Sequence, residues 1–171
     1  AKYDSKAFQK SVGLNGVGTK AGNALSNVFK VTAFRDGKEK TAEFERGVLT
    51  QDHKETKTTE ENGTLVTFVP DDKIFKNFHF VQEYLDNQFW NYCYLNAGLV
   101  MNLNNKRYVS KNGLLDLLQR KTNEDEIRYP IIHLKGEDIE VALTHENDYG
   151  EEYYSFVNGQ FTTQGGTHLA A

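Results

Sequence analysis

The residues best suited to chemistry are glycines near the start of the chain, in SVGLNGVGTKAGNALS (residues 11–26). Gly13, Gly16 and Gly18 precede a segment of helical character, and Lys20 adds a positive charge. A glycine-rich turn that leads into a helix directs several backbone N–H groups and the positive end of the helix dipole at one point, which favours phosphate binding. A tight turn that caps a helix and binds nothing has the same composition, and the spacing leaves both interpretations open.

The Walker A phosphate loop, G-x-x-x-x-G-K-[ST], is a poor match to this stretch. Gly13 and Gly18 have its glycine spacing. However, Thr19-Lys20-Ala21 stands where a lysine followed by serine or threonine is required. The pattern therefore argues against a P-loop NTPase.

The amino-acid composition narrows the classes of protein to which this chain could belong. The 171 residues are 38% hydrophobic and carry a net charge of -4, which indicates a folded chain without a basic field for nucleic acid. No apolar run approaches the ~20 residues that span a bilayer, so we expect no membrane partner. The single cysteine, Cys93, favours a reducing compartment, and hence the cytoplasm. The five histidines lack metal-ligand spacing, so no metal site is predicted.

The elements that must position the glycine turn are predicted to be mostly strands. The helix that follows the glycines runs to about Asn27, and Asn15 is a candidate cap for it. A β pattern covers residues 28–45 and is broken by Asp36-Gly37, which favours a type I′ hairpin turn. A polar stretch, 50–62, is interpreted as a loop or a hairpin tip, and a further strand covers 64–69.

The second half of the chain begins with apolar residues at helical spacing, which predict a helix over 79–96. A second helix is predicted around 114–119, and Asn158-Gly159 favours a hairpin turn. The predicted strands are 100–103, 106–109, 131–135, 139–145 and 153–157. The whole pattern is α+β, with mostly antiparallel sheet, and we place a domain boundary at residues 95/96.

Five groups of short motifs, in order along the chain, resemble the B subunits of bacterial type IIA topoisomerases, which belong to the GHKL ATPase superfamily. The first is Gly13-Leu14-Asn15-Gly16-Val17-Gly18 with Asn23-Ala24-Leu25-Ser26, which resembles the family's ATP lid. The others are the F-R-D-G-K and F-E-R-G-V segments at 34–38 and 44–48, N-G-T with F-V-P-D at 62–71, Y-L-N-A-G-L at 94–99, and S-F-V-N with G-G-T-H at 155–168.

The lid departs from the family pattern at two positions. Asn15 replaces the usual histidine, and Lys20 replaces a small or hydroxyl residue. With Lys20, the loop N-G-x-G-x-K is closer to the version in eukaryotic topoisomerase II. The family contains the B subunits of gyrase and of topoisomerase IV, and Asn15 together with T-Q-G-G-T-H at 163–168 favours the topoisomerase IV branch without excluding gyrase.

The resemblance implies the C-terminal part of a GHKL (Bergerat-type) ATPase sandwich over residues 1–95, carrying the ATP lid. The start of a ribosomal-protein-S5-like transducer domain would follow over 96–171. It also implies the ATP-binding subunit of a type II DNA topoisomerase, an enzyme that couples ATP binding and hydrolysis to DNA strand passage. The implied cofactors are ATP and Mg2+. The implied partners are DNA, a second B subunit in an ATP-dependent dimer, and the topoisomerase A subunit.

The resemblance assigns site residues as well. Thr64 matches the threonine at the adenine pocket, and Arg35 matches an arginine at the pocket rim. Lys20 is added as a phosphate partner because of its position and charge. The backbone that would contact the ATP phosphates is that of Gly13, Leu14, Asn15, Gly16, Val17 and Gly18.

No catalytic residue is expected within the chain. The family's general-base glutamate and Mg2+-binding asparagine correspond to positions upstream of residue 1, and its Gln-Thr-Lys loop to positions downstream of residue 171. We therefore expect an internal fragment that does not hydrolyse ATP by itself.

Two alternatives remain at the level of the sequence. One is another GHKL ATPase, MutL-like or Hsp90-like, against which F-E-R-G and G-G-T-H argue. The other is a non-catalytic interaction domain whose glycine turn is purely structural.

Overall fold

A computed structural model of the chain describes residues 16–170. Backbone contacts divide it into two compact units, the first ending at His79 and the second beginning at Phe80. The assignment of residues 1–95 and 96–171 to two family domains stays a prediction.

Between residues 16 and 79, the first unit contains one helix and an antiparallel five-stranded sheet. Helix α1 spans Val17–Ala24 and ends three residues before the predicted limit, because Ser26 already pairs within the sheet. The strands are β1 Ser26–Arg35, β2 Lys38–Glu45, β3 Val48–Asp52, β4 Thr56–Lys57 and β5 Gly63–Pro70. Their order in the sheet is β3-β2-β1-β5, and β4 pairs with β2.

The turn between β1 and β2 is the predicted type I′ turn. Its two central residues, Asp36 and Gly37, have φ angles of 52° and 74°, and positive φ at both positions defines this turn. The prediction of a loop over 50–62 is wrong in part, since β3 and β4 occupy part of that stretch. Both strands are exposed and satisfy their backbone groups against β2, so their side chains can be polar.

The core of the first unit surrounds Phe29 on β1, which is 6% exposed. Phe44 on β2 and Phe68 on β5 lie directly opposite Phe29, and the Phe29 and Phe44 ring centroids are 6.3 Å apart. Helix α1 covers this cluster, because a Cβ atom placed on Gly22 would lie only 3.9 Å from the Phe29 ring. The face of the sheet that carries Phe29 is therefore the face against which α1 packs.

The second unit contains three helices and three antiparallel two-stranded sheets, all between residues 80 and 170. Asn158 and Gly159, with φ angles of 48° and 84°, form the predicted hairpin turn between the last two strands. The predicted strand over 153–157 is shorter than expected. The elements are α2 Gln82–Leu95, β6 Val100–Leu103, β7 Lys106–Val109, α3 Leu114–Lys121, β8 Ile132–Lys135, β9 Glu140–Leu143, β10 Phe156–Val157, β11 Gln160–Phe161 and α4 Thr167–Ala170.

The core of the second unit is aromatic. Tyr108 and Cys93 are fully buried, and Leu117 is 4% exposed. Trp90 stacks on Tyr94 with the ring centroids 5.4 Å apart, and it meets Tyr108 edge to face at 5.3 Å. Helix α2 thus packs against β7 through large rings, whose buried area dominates the stability of such a small core.

Within residues 16–170, none of the helices has both the length and the apolar character needed to cross a membrane.

Candidate functional site

The start of α1 is built to present backbone N–H groups. Gly16 is its N-cap residue and has φ 66°, a left-handed conformation that favours glycine. Among the described residues, no side chain caps the helix, and a Cβ placed on Gly16 or Gly18 would meet no atom within 4 Å. The first N–H groups of a helix have no partner within it, so within residues 16–170 this end of α1 is uncapped, and it carries the positive end of the dipole.

The charge at this end is positive. The first turn of α1 contains no acidic residue, and Lys20 lies on it, exposed to solvent. An anion approaching α1 therefore meets the helix dipole and an ammonium group, with no carboxylate in that turn to oppose it. The predicted contacts at Gly13, Leu14 and Asn15, including the predicted cap, lie outside the described residues.

Thr64 and Arg35 lie on the same face of the sheet. Thr64 on β5 pairs directly opposite Ala33 on β1, and Arg35 follows Ala33 by two residues. Since alternate residues of a strand share a face, Phe29 belongs to this face too, and it is the face that α1 covers. The register thus places α1, Thr64 and Arg35 on one side of the sheet.

These residues are spread along that face rather than clustered. Ala33, the partner of Thr64, lies four residues beyond Phe29, which corresponds to about 13 Å along a strand, and Arg35 lies about 20 Å beyond it. A ligand that contacts both Thr64 and the part of this face that α1 covers at Phe29 must therefore extend over about 13 Å. A molecule with an anionic end and a ring system at its other end meets this requirement.

The rim near Arg35 is charged and open. The Arg35 side chain is 86% exposed, and its Nε lies 3.6 Å from a carboxylate oxygen of Asp36. Lys38 and Lys40 line the same shallow depression and pair with Glu55 at 2.7 Å and with Asp52 at 3.1 Å. Exposed pairs of this kind contribute little to stability, so these cations can exchange partners readily.

An ion pair that the sequence patterns do not predict lies at the other end of α1. Asp71, which is 2% exposed, accepts hydrogen bonds from both Nε and Nη2 of Arg46. The hydrogen bond from Arg46, helped by one from the Lys73 backbone, lowers the pKa of the Asp71 carboxyl. Both residues belong to motifs of the family resemblance, F-E-R-G-V and F-V-P-D, but nothing in the sequence indicates that those motifs meet.

The described residues offer no candidate metal centre. Within 16–170, no group of three or more His, Cys, Asp or Glu side chains could hold a metal ion. His133 on β8 hydrogen-bonds Glu140 on β9 at 2.9 Å, and His145 contacts Tyr129. These imidazoles therefore serve local structure.

Known proteins are similar in sequence to nearly the whole chain. The sequence model of the DNA gyrase B family matches residues 94–171. The B subunit of DNA topoisomerase 4 from Borreliella burgdorferi is 46% identical over 168 residues, covering 98% of this chain and 28% of that protein. The B subunit of DNA gyrase from Helicobacter pylori (strain 26695) is 34% identical over 184 residues, covering 99% of this chain and 24% of that protein. The chain thus spans about a quarter of the length of these relatives.

Solved structures agree with these matches. The 43K ATPase domain of Thermus thermophilus gyrase B, solved in complex with an aminocoumarin, superimposes with a TM-score of 0.75 at 29% identity. The match covers 91% of this chain and 46% of that one. The B subunit of the DNA gyrase from Myxococcus xanthus has a TM-score of 0.68 at 22% identity, covering 85% and 46% of the two chains, and shows the shared fold. The α+β fold expected from the sequence is confirmed.

Proposed function

We propose that this chain, a member of the B subunits of bacterial type II DNA topoisomerases, forms part of the ATP-binding unit of such an enzyme. The whole protein would couple ATP binding and hydrolysis to DNA strand passage. The observation that supports this most directly is the open N-terminus of α1 on the same sheet face as Thr64 and Arg35.

ATP suits the shape and charge of this face. Its triphosphate would accept hydrogen bonds from the backbone N–H groups of Gly16, Val17 and Gly18, where glycines leave room for close approach, and would pair with Lys20. Gly13, Leu14 and Asn15 would extend the same phosphate cradle. Its adenine would lie towards Thr64, whose hydroxyl can donate or accept a hydrogen bond, with Arg35 at the rim.

Hydrolysis would need groups from the rest of the protein. Mg2+, when bound with ATP, neutralises phosphate charge. We place the general base and the metal ligand outside these 171 residues, as the family resemblance implies. This chain would then orient the phosphates and exclude water from them but would not hydrolyse ATP alone. Residues 1–95 would be the end of the ATPase domain, and 96–171 the start of the transducer domain.

The proposal extends to partners and to the branch of the family. DNA, a second copy of the B subunit that pairs when ATP is bound, and an A subunit would complete a cytoplasmic enzyme. Topoisomerase IV is the preferred branch. Asn15 and the segment T-Q-G-G-T-H at 163–168 favour it, as does the 46% identity to the B subunit of a topoisomerase 4.

Limited trypsin digestion of the full-length protein tests the lid assignment. Lys20 lies on α1, and Lys54 is an exposed lysine in the loop between β3 and β4. A non-hydrolysable ATP analogue should slow cleavage after Lys20 by tenfold or more and leave cleavage after Lys54 unchanged. If the analogue binds and cleavage after Lys20 keeps its rate, α1 is not a lid. If the analogue does not bind at all, the ATP proposal fails and the glycine turn is structural.

A further inference from the structure

The C-terminal end of α1 is fastened to two separate parts of the sheet. The backbone N–H of Asp71, just after β5, donates to the Leu25 carbonyl at 2.9 Å. The backbone N–H of Arg46, just after β2, donates to the Ser26 carbonyl at 2.8 Å. Leu25 and Ser26 directly follow α1, so the end of the helix is held between these two points.

The side chains of Arg46 and Asp71 also form an ion pair, which connects the two segments that hold the end of α1. The guanidinium of Arg46 contacts both carboxylate oxygens of Asp71, a two-pronged geometry that fixes direction as well as distance. Since Asp71 is buried, its charge depends on this partner. The two motifs that supply Arg46 and Asp71 are therefore joined to each other at the C-terminal end of α1, and this connection is called the joint below.

The backbone of the turn between β2 and β3 fits this joint. Arg46 and Gly47 have φ angles of 48° and 83°, and a left-handed conformation is uncommon for a residue such as arginine. A Cβ on Gly47 would lie 3.4 Å from Cα of Ala24, the last residue of α1. The turn therefore lies directly against the helix end, and the ion pair holds it there.

The opposite end of α1 is open. Residues 16–20 are exposed, and among the described residues no side chain caps the helix. An eight-residue helix is about 12 Å long, so a tilt of about 10° at its anchored end moves its free end by about 2 Å. Displacements of this size are large for a group that must meet a phosphate, since about 1 Å can cost a hundredfold in rate.

We propose that the Arg46–Asp71 ion pair is the positioning device of the lid: it sets the direction in which α1 presents its N-terminus over the face that carries Thr64. This inference rests on the proposed function. Arg46 and Asp71 are positioning residues, because they lie at the C-terminal end of α1 and act on a phosphate through the helix. Replacing either residue should therefore lower the affinity for a ligand that carries phosphates. It should not change the affinity for adenosine, which has none.

The test uses full-length protein carrying Arg46→Lys or Asp71→Asn. Lysine keeps the charge but loses the two-pronged geometry, and asparagine keeps the shape but loses the charge. The control is Lys30→Met, which removes the 3.1 Å ion pair between Lys30 and Glu43 on the same sheet, away from α1. For each protein, the affinities for a non-hydrolysable ATP analogue and for adenosine are measured by calorimetry, alongside the melting temperature.

We expect both variants to bind the analogue at least tenfold more weakly than the wild type and to bind adenosine within twofold of it. Lys30→Met should match the wild type for both ligands. Equal losses for the analogue and adenosine would mean that the pair only maintains the fold, and unchanged analogue binding would also overturn the inference. If the wild type itself binds neither ligand, the proposed function fails and the inference falls with it. If Asp71→Asn does not fold, Arg46→Lys alone decides.

Discussion

The carboxylate of Asp116, in the first turn of α3, accepts a hydrogen bond from the Ser110 hydroxyl at 2.7 Å. The same oxygen accepts the backbone N–H groups of Lys111 at 2.9 Å and Asn112 at 3.0 Å. Ser110 is 2% exposed, and its hydroxyl oxygen also accepts the Gly113 N–H at 3.0 Å. Asp116 therefore closes the loop between β7 and α3 from within the helix.

Replacing Asp116 by alanine should lower the free energy of unfolding by about 1–2 kcal/mol, because four donors in this loop lose their acceptor: the Ser110 hydroxyl, the Lys111 N–H, and the backbone and side-chain N–H groups of Asn112. Urea denaturation followed by tryptophan fluorescence measures the change. Glu124→Ala, an exposed carboxylate in the turn after α3, is the control and should change stability by less than about 0.5 kcal/mol. Equal effects of the two variants would refute this role for Asp116.

The same carboxylate makes stability depend on pH. Burial raises the pKa of Asp116, but hydrogen bonds from the backbone and side chain of Asn112, from Ser110 and from Lys111 outweigh it, and the folded-state pKa lies below its usual value of 3.8. The stabilisation is therefore present above about pH 4 and is lost as the pH falls through the folded-state value. The stability difference between wild type and Asp116→Asn should shrink as the pH falls below about 4. A difference that stays constant over this range would contradict the assignment.

Leu117, at 4% exposure, fills the aromatic core of the second unit. Its replacement by alanine should cost about 2–5 kcal/mol, since the side chain leaves a cavity that the surrounding rings fill only in part. Chemical denaturation of the variant gives the value. Leu134→Ala is the matched control, because Leu134 is 59% exposed and its truncation should have a much smaller effect.

Gly47 should resist substitution by alanine. Its φ of 83° lies in the left-handed region, which costs a residue with a Cβ about 1–2 kcal/mol. The added atom would lie in contact with Ala24 at 3.4 Å, so the cost comes from the backbone conformation. Gly63→Ala on β5 is the matched control, because a Cβ there lies 3.8 Å from its nearest contact, an ordinary distance. The melting temperature should fall for Gly47→Ala and change little for Gly63→Ala, and similar shifts would count against the conformational argument.

Lys20→Ala in the full-length protein should weaken binding of a non-hydrolysable ATP analogue by about tenfold, the effect of losing one charge-assisted contact of about 1.4 kcal/mol. Thr64→Val should weaken binding of both the analogue and adenosine, because its hydroxyl would serve the adenine. Calorimetry separates the two effects. Lys54→Ala, remote from α1 in the loop after β3, should leave both affinities unchanged. Loss of adenosine binding in Lys20→Ala would contradict a phosphate role.

Local patterns allowed much of the first unit to be predicted. Asp36-Gly37 has the composition of a type I′ turn, and alternating Val, Phe and Thr predict the strands on either side, so β1, β2 and their turn follow from neighbouring residues alone. β3 was missed because only its first two residues, Val48 and Leu49, are apolar and the rest of the strand, 50–52, is polar; its stability comes from hydrogen bonds to β2 that composition does not reveal.

The candidate site also has features that the sequence predicts and features that it does not. Gly16 could be identified from the glycine spacing, but its position as the left-handed N-cap of α1 could not, because the side chain of Asn15 made that residue the candidate cap. The Arg46–Asp71 contact could not, because it joins residues 25 positions apart whose meeting depends on the register of the whole sheet. That Thr64 shares a face with α1 also depends on register, which a single strand's sequence does not specify.

The bond between Arg46 and Asp71 also has an evolutionary consequence. A change at Arg46 alone leaves the buried Asp71 carboxylate without its cation, and a change at Asp71 alone leaves Arg46 paired only with the exposed Glu45. Single replacements should therefore be selected against, whereas a compensated pair of changes should not. The two positions should therefore be inherited as a unit. Among descendants of a common ancestor, arginine and aspartate should persist together or be exchanged together, although 25 residues separate them in the chain.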